Sequence, residues 1–325
     1  MSLLPSDEGP EVYRLSRAYP PEAAAALIEG ALGSAVARIE RDTVSGSHAV
    51  FFATLAGGEE CVARIATHPE HNLARELWAA EQCRQRGVPV PPVLTSATAR
   101  AGNSLPYVIS DRARGAPAYG AALTTRERRA IFEQLGRYAA LIHGISLPGF
   151  GDLVPSSGGY VGRDRSLWDH LDRQLRSAIE ALPADVLPPA RARSILERFE
   201  HERPLLDRAA GGLVHGDYRF KNVLIEGSRV CAILDFEMAV SGDPAQDLAW
   251  LLYSDGRDRE DEAALVRGYV EGGGRMDKGF MRRVACYQLL GALGTLWWMV
   301  GFRDEVGTGK VSERIRKLEE LLDTE

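Results

Sequence analysis

The chain has 325 residues, 45% of them hydrophobic and 26% charged, with a formal net charge of −6. That length is comfortable for two lobes with proper cores. The acidic balance excludes a broad nucleic-acid-binding face, because a phosphate backbone demands a basic footprint. The opening residues, MSLLPSDEGPEVYRL, show no basic stretch ahead of an apolar core, so no secretory signal is expected and the default location is cytoplasmic. Pro20 and Pro21 suit the start of a helix that runs to about Leu32. Two β-rich runs follow, AVFFATL and CVARIA, and the Gly57-Gly58 turn between them predicts a hairpin. The segment HNLARELWAAEQCRQRG then reads as an amphipathic helix closed by Gly87, and VPVPPVLTS is extended because its prolines cannot sit in a helix. SLPYVISD is a further strand.

At Arg114 the composition shifts to a Gly/Pro/Ala connector, RGAPAYGAALT. Beyond it TTRERRAIFEQLGRYAALIHGI, SLWDHLDRQLRSAIEAL and the run around ARARSILERFEHER are helical; two short strands, LVHGD and VCAILDF, precede further helices to the end. The apolar run Cys286 to Val300 is shorter than a membrane span and contains Gln288, so a buried core helix is expected there. The four cysteines, Cys61, Cys83, Cys231 and Cys286, are far apart and read as reduced thiols, with no pair at metal-ligand spacing. The organisation expected is α+β: a small β-rich lobe over residues 1–110, a connector over 111–117 and a mostly helical lobe over 118–325.

The segment LVHGDYRFKNVLIEGSRVCAILDFEMAVSGDPAQDLAWLL, residues 213–252, carries the chemistry. Asp217 follows one apolar strand, Asn222 stands where VLIE begins, and Asp235 ends the returning strand VCAIL. In a hairpin those ends fall side by side. Carboxylate and amide oxygens are the hard ligands magnesium takes, one or two at a time beside phosphate oxygens. One aspartate is left over to hold an attacking hydroxyl, which completes a set of parts for phosphoryl transfer.

His215 to Asn222 resembles the HGDxxxxN catalytic loop of the aminoglycoside phosphotransferases and of the related choline, fructosamine and macrolide kinases. Asp235-Phe236-Glu237 stands where those families carry their magnesium aspartate, and Ser241 to Ala249 matches their GDPxxDLA run. The resemblance implies a two-lobed, protein-kinase-like fold and an ATP-dependent kinase that uses magnesium, acts on a small-molecule hydroxyl acceptor, and needs neither nucleic acid nor a membrane. Asp217 would orient the hydroxyl; Asn222 and Asp235 would bind metal. Asp243 and Asp247 are expected to cap backbone amides beneath the loop, His215 to support it, and His143 to be a satisfied core histidine. Arg219 would neutralise the transferring phosphoryl group or form a surface salt bridge.

The same resemblance implies a strand cation, Arg64, gripping nucleotide phosphates, with Glu76 of the following helix as its partner or else on a solvated face. Ser47, in the loop Val44 to His48, would reach a phosphate, unless that loop is an ordinary turn. Ser110 and Arg112 fall where a hinge would present backbone groups, not side chains, to adenine. For the acceptor three chemistries stay open. The acidic run Asp255 to Glu262 would suit an aminoglycoside unless it is a solvated face. Arg282, Arg283 and Arg303 would serve an anionic acceptor such as a hydroxy acid, to which the acyl-CoA-dehydrogenase-linked branch points. Trp297 and Trp298 would serve a choline-like one. A catalytically silent nucleotide-binding module is the alternative from another class, and the intact Asp217, Asn222 and Asp235 set argues against it.

Overall fold

A computed structural model describes residues 15–42, 48–68, 72–100, 105–256, 258–301 and 304–323. Ser47, with Val44 to Gly46 of its loop, and Arg303 lie outside these residues. Helix α1 (Pro21–Leu32) begins at the expected prolines. It is followed by β1 (Val36–Arg41), β2 (Ala49–Leu55) and β3 (Glu60–Ile65). Helix α2 (Leu73–Gln85) ends just before Gly87, which takes the left-handed backbone expected of a helix stop. Strands β4 (Val93–Ala97) and β5 (Tyr107–Asp111) complete an antiparallel sheet in the order β1-β2-β3-β5-β4.

Strand alternation decides which residues do chemistry here. On β3, Cys61, Ala63 and Ile65 point to the face covered by Ile28 and Ala24 of α1. Arg64, one residue out of phase, points to the opposite face. There it meets α2.

The connector is more ordered than its composition suggests. Residues Ala116–Pro117 form β6, which pairs with β10 (Val223–Glu226) of the hairpin β10–β11 (Arg229–Ile233). Gly115 makes this possible: its φ is +101°, and a Cβ there would lie 2.7 Å from the Ile225 carbonyl oxygen.

The second lobe holds α3 (Thr125–His143), α4 (Leu167–Glu180) and α5 (Pro189–Leu206). Thr124 and Glu127 form a reciprocal capping box at the start of α3. Between α3 and α4 lies a hairpin the sequence reading did not anticipate, β7 (Phe150–Ser156) and β8 (Gly159–Asp164). It pairs into a sheet of order β8-β7-β12-β9, with β9 at Gly212–Val214 and β12 at Val240–Gly242. Its tip packs Tyr160 against Trp78 of α2, ring centroids 5.1 Å apart. The chain ends in α6 (Ala245–Ser254), α7 (Arg259–Glu271), α8 (Phe280–Gly301) and α9 (Glu305–Asp323).

Helix α8 is longer than expected, and among the described residues it is the one helix long and apolar enough to cross a membrane. Leu289, Leu290, Leu293 and Leu296 are instead buried in the main core with Leu248 and Leu251 of α6 and Ile315 and Leu318 of α9. Ala79 and Cys83 of α2 belong to that same core, so the helix carrying Glu76 is packed against both lobes.

Candidate active site

Three chain ends converge as the motif spacing requires. Asp217 follows β9, Asn222 leads into β10, and Asp235 follows β11. The Leu234 amide donates to the Asn222 carbonyl at 2.9 Å, which locks the two loops together. Asn222 Nδ2 donates both to the Asp217 carbonyl at 2.8 Å and to Asp217 Oδ2 at 2.9 Å. With its nitrogen committed, the side-chain oxygen of Asn222 is the atom left to accept a cation.

Both carboxylate oxygens of Asp217 are covered. Arg219 Nε lies 2.6 Å from Oδ1 and Lys221 Nζ 2.8 Å from Oδ2. Burial pushes this carboxyl up, yet the two cations outweigh burial and hold it below the ordinary aspartate value. Lys221 was not singled out by the sequence reading, though it sits inside the motif. Arg219 lies over the Trp250 ring, 5.3 Å from its centroid.

Asp235 is the one non-glycine residue with positive φ among the described residues, at φ 69° and ψ 71°. Such a conformation is costly away from glycine and tends to mark functional turns. It aims the carboxylate across to the first lobe, where Arg64 Nη2 stands 3.5 Å from Oδ1. Arg64 also pairs with Glu76 through both nitrogens, Nη2 at 3.2 Å from Oε2. Burial opposes charge on Arg64, but Glu76, Asp235 and Glu237 outweigh it and keep the guanidinium protonated.

Two further residues join this cluster without having been predicted. His48 Nδ1 is 3.3 Å from Glu237 Oε2 and 3.5 Å from Arg64 Nη2. Glu237 is pushed up to about 7, by burial first and by the charge of Asp235 second. The only sequence signal for Glu237 was its place two residues after Asp235. Arg75 of α2 donates to the Glu237 carbonyl at 2.8 Å and ties the helix to the loop.

The scaffold beneath the loop follows expectation. Asp247, fully buried, accepts from the His215 amide at 2.8 Å and the Gly216 amide at 2.9 Å. His143 bridges Asp247 at 3.1 Å and the Tyr269 hydroxyl at 3.2 Å, a satisfied core histidine. His215 spans Leu234 O at 3.0 Å and the Asp217 amide at 3.3 Å, which is support and not proton transfer. Gly216 has φ +81°, and a Cβ there would collide with the Met238 backbone. Asp243 caps the Ala245 amide at 3.1 Å.

Ser110 stands mid-ladder between Val62 and Val93, and the Arg112 side chain pairs with Glu60 at 2.8 Å over the Phe52 ring. On the acceptor side, expectations need correction. Arg283 is bound to Asp243 at 2.7 Å and Asp277 at 2.9 Å, and Arg282 to Glu202 at 2.6 Å, which commits both to structure. The acidic run is largely the start of α7: Asp258 caps the Glu260 and Asp261 amides, and buried Asp261 pairs with Arg128. Only Asp255 turns to the loop, accepting from the Phe220 amide at 3.0 Å. Trp297 packs on the core and its ring is tilted 56° from that of Trp298, so the two form no cage.

The model of a family described as "Phosphotransferase enzyme family" matches residues 38–284. Among curated proteins, acyl-CoA dehydrogenase family member 10 of Mus musculus is 27% identical over 187 residues, covering 55% of this chain and 16% of that protein. Viomycin phosphotransferase of Streptomyces vinaceus is 27% identical over 195 residues, covering 58% and 63%. The chain thus spans less than two thirds of either relative. Among solved structures, aminoglycoside phosphotransferase APH(4)-Ia superposes with a TM-score of 0.69 at 19% identity, covering 92% of this chain and 97% of that one. Macrolide 2′-phosphotransferase MphH from Brachybacterium faecium superposes with a TM-score of 0.60 at 19% identity, covering 90% and 97%. At that identity the likeness shows a shared fold, the two-lobed one expected.

Proposed function

The chain belongs to the phosphotransferase enzyme family, and from that membership we propose that it moves the γ-phosphoryl group of ATP to a hydroxyl of a small molecule. The observation that carries this reading is the placement of Asp217, held by Asn222, beside the Arg64–Glu76–Asp235 cluster. Residues 1–110 would form the nucleotide lobe, 111–117 the hinge and 118–325 the acceptor lobe. Arg64, steadied by Glu76, would grip nucleotide phosphates with its planar fork.

The metal site fits magnesium. Asp235 and the side-chain oxygen of Asn222 are hard oxygen donors, and Glu237 is a second carboxylate whose charge is disfavoured without a nearby cation. These residues would hold the ion, which when bound neutralises phosphate oxygens. Among the described residues no larger cluster of acids, histidines and cysteines forms a metal cage. A site this sparse suits an ion that takes its remaining ligands from phosphate and water.

Asp217 would orient the acceptor. Its two oxygens are now occupied by Arg219 and Lys221, so an incoming hydroxyl displaces one of these cations towards the phosphoryl oxygens. The acceptor oxygen then bonds to the γ-phosphorus as the bond to the β–γ bridging oxygen breaks. Its proton passes late to Asp217. A carboxylate held this acidic is a poor base, so the rate comes from positioning and electrostatics.

Asp217→Asn keeps the hydrogen bond from Asn222 but removes the charge. ATP affinity by calorimetry should be retained, and turnover by coupled ADP release should fall roughly 10²–10⁴-fold. Near-normal turnover would refute the role of Asp217; joint loss of binding and turnover would make it a metal ligand or a structural cap.

A further inference from the structure

We propose that Lys221 guards Asp217: until an acceptor arrives, its ammonium occupies the metal-side oxygen of that carboxylate and keeps water from being aimed at the γ-phosphorus. This rests on the phosphotransferase reading above and names which of the two cations leaves when a hydroxyl enters.

The three donors around Asp217 are not equivalent. Asn222 is buried, and its Nδ2 is fixed by a second bond to the Asp217 carbonyl. Arg219 stands 2.6 Å from Oδ1 with its guanidinium over the Trp250 ring at 5.3 Å, so one planar group is held from two sides. The Lys221 ammonium, 2.8 Å from Oδ2, has no second partner among the described residues, and its side chain is 47% exposed against 30% for Arg219.

Only the lysine side chain needs to move. Lys221 is the middle residue of a single 3-10 turn, Phe220–Asn222, whose two ends are buried. Phe220 packs on Phe132 of α3, ring centroids 5.2 Å apart, and its amide donates to Asp255 at 3.0 Å. The backbone is thereby fixed on both sides of Lys221, while a flexible four-carbon stem carries the charge. Swinging that stem away uncovers a lone pair of Oδ2 and leaves Asn222 and Arg219 in place.

Oδ2 is also where a nucleophile is wanted. It is joined to the Asn222 amide, whose oxygen would face the metal and with it the nucleotide phosphates. With Lys221 seated, the Asp217 side chain is only 12% exposed, and a water has no place on it. With the ammonium gone and no acceptor bound, water takes that place. Its oxygen bonds to the γ-phosphorus, the bond to the β–γ bridging oxygen breaks, and its proton passes to Asp217 and on to solvent, giving ADP and inorganic phosphate. A bound acceptor displaces Lys221 where water does not, because contacts made by the rest of the acceptor offset the ion pair that is broken. A half-exposed pair is weak enough to yield. Seated on Asp217, the ammonium lends nothing to the phosphoryl group, so its removal costs hydrolysis nothing.

The test needs no acceptor. The full chain is given ATP and magnesium in a buffer free of hydroxyl compounds, and ADP and inorganic phosphate are counted together. Lys221→Met keeps the length of the stem and removes the charge. It should release both products roughly two- to tenfold faster than the parent chain, with ATP·Mg affinity by calorimetry near the parent's. Lys221→Arg keeps the charge and should stay near the parent rate. Adding Asp217→Asn to Lys221→Met should abolish the gain, because the water is aimed by Asp217. Arg219→Gln removes a brace and not the guard, and should lower hydrolysis. Unchanged or slower hydrolysis in Lys221→Met at normal ATP·Mg affinity would overturn the proposal, and that is the result a merely structural lysine gives. So would a gain that survives Asp217→Asn, or one that Arg219→Gln reproduces. Failure of the parent chain to bind ATP·Mg would instead sink the phosphotransferase reading and this inference with it.

Discussion

Asp247 is where loop architecture is most directly exposed to experiment. Its two oxygens receive the amides of His215 and Gly216 at 2.8 and 2.9 Å, in a spot with no solvent access. A hydrogen bond to a charged group contributes about 1.5–3 kcal/mol, and an orphaned buried amide costs about 1–3 kcal/mol. Asp247→Asn keeps one acceptor but turns an amino group towards the other N–H, donor against donor. It should lose about 2–4 kcal/mol. Asp247→Ala abandons both amides and the contact to His143 and should lose about 3–6 kcal/mol, a large share of the 5–15 kcal/mol typical of a whole protein. The assay is urea unfolding, read as a fall in midpoint at unchanged slope. Because the amides held are those just before Asp217, turnover should drop in both variants even at temperatures where they stay folded. Losses below about 1 kcal/mol in the alanine variant would refute the reasoning and mean that this carboxylate is not what fixes the loop. Normal turnover in a destabilised variant would separate loop geometry from catalysis.

Two further outcomes follow from the site. Arg64→Ala should weaken ATP binding by roughly ten- to a hundred-fold while scarcely changing AMP, measured by calorimetry; equal losses for both nucleotides would place Arg64 outside the phosphate site. Asp255 is pushed from 3.8 to about 6, by burial first, with the Phe220 amide and Arg219 opposing. The folded protein therefore holds that proton more tightly than the unfolded chain, and stability falls as pH rises from about 4 to about 6, by at most roughly 3 kcal/mol. Asp255→Asn should remove this decline, so that the variant gains on the parent chain at pH 7 relative to pH 4 in urea midpoints. Parallel pH profiles for the two proteins would show that Asp255 does not titrate in this window.

Much of this protein was legible in its text because the informative signals are local. Strand alternation in ECVARI put Arg64 out of phase with Cys61, Ala63 and Ile65, and this alone predicts a charged face opposite a buried one. The spacing of Asp217, Asn222 and Asp235 at the ends of short strands anticipated their convergence, since a hairpin returns the chain to where it began. The capping roles of Asp243 and Asp247 were anticipated through the match of Ser241 to Ala249 to the GDPxxDLA run, although the amides Asp247 holds lie about thirty residues back in the chain. Where pairing was long-range the text assigned nothing: β7 and β8 lie in a Gly-rich stretch, and the hairpin joins a larger sheet through the distant strand β12.

What the sequence could not decide was how charges were distributed among partners. Arg282, Arg283 and Arg314 look alike in text, yet the first two are bound to Glu202, Asp243 and Asp277, and the third lies over a tyrosine. Asp255 and Asp261 belong to one acidic run, yet one faces the catalytic loop and the other is buried against Arg128. The reason is physical. Which residues are hydrophobic or β-prone is a property of each side chain and its near neighbours, and so is written in order along the chain. Which ion meets which counter-ion depends on helices separated by tens of residues coming into contact, and so is decided only when the core between them closes.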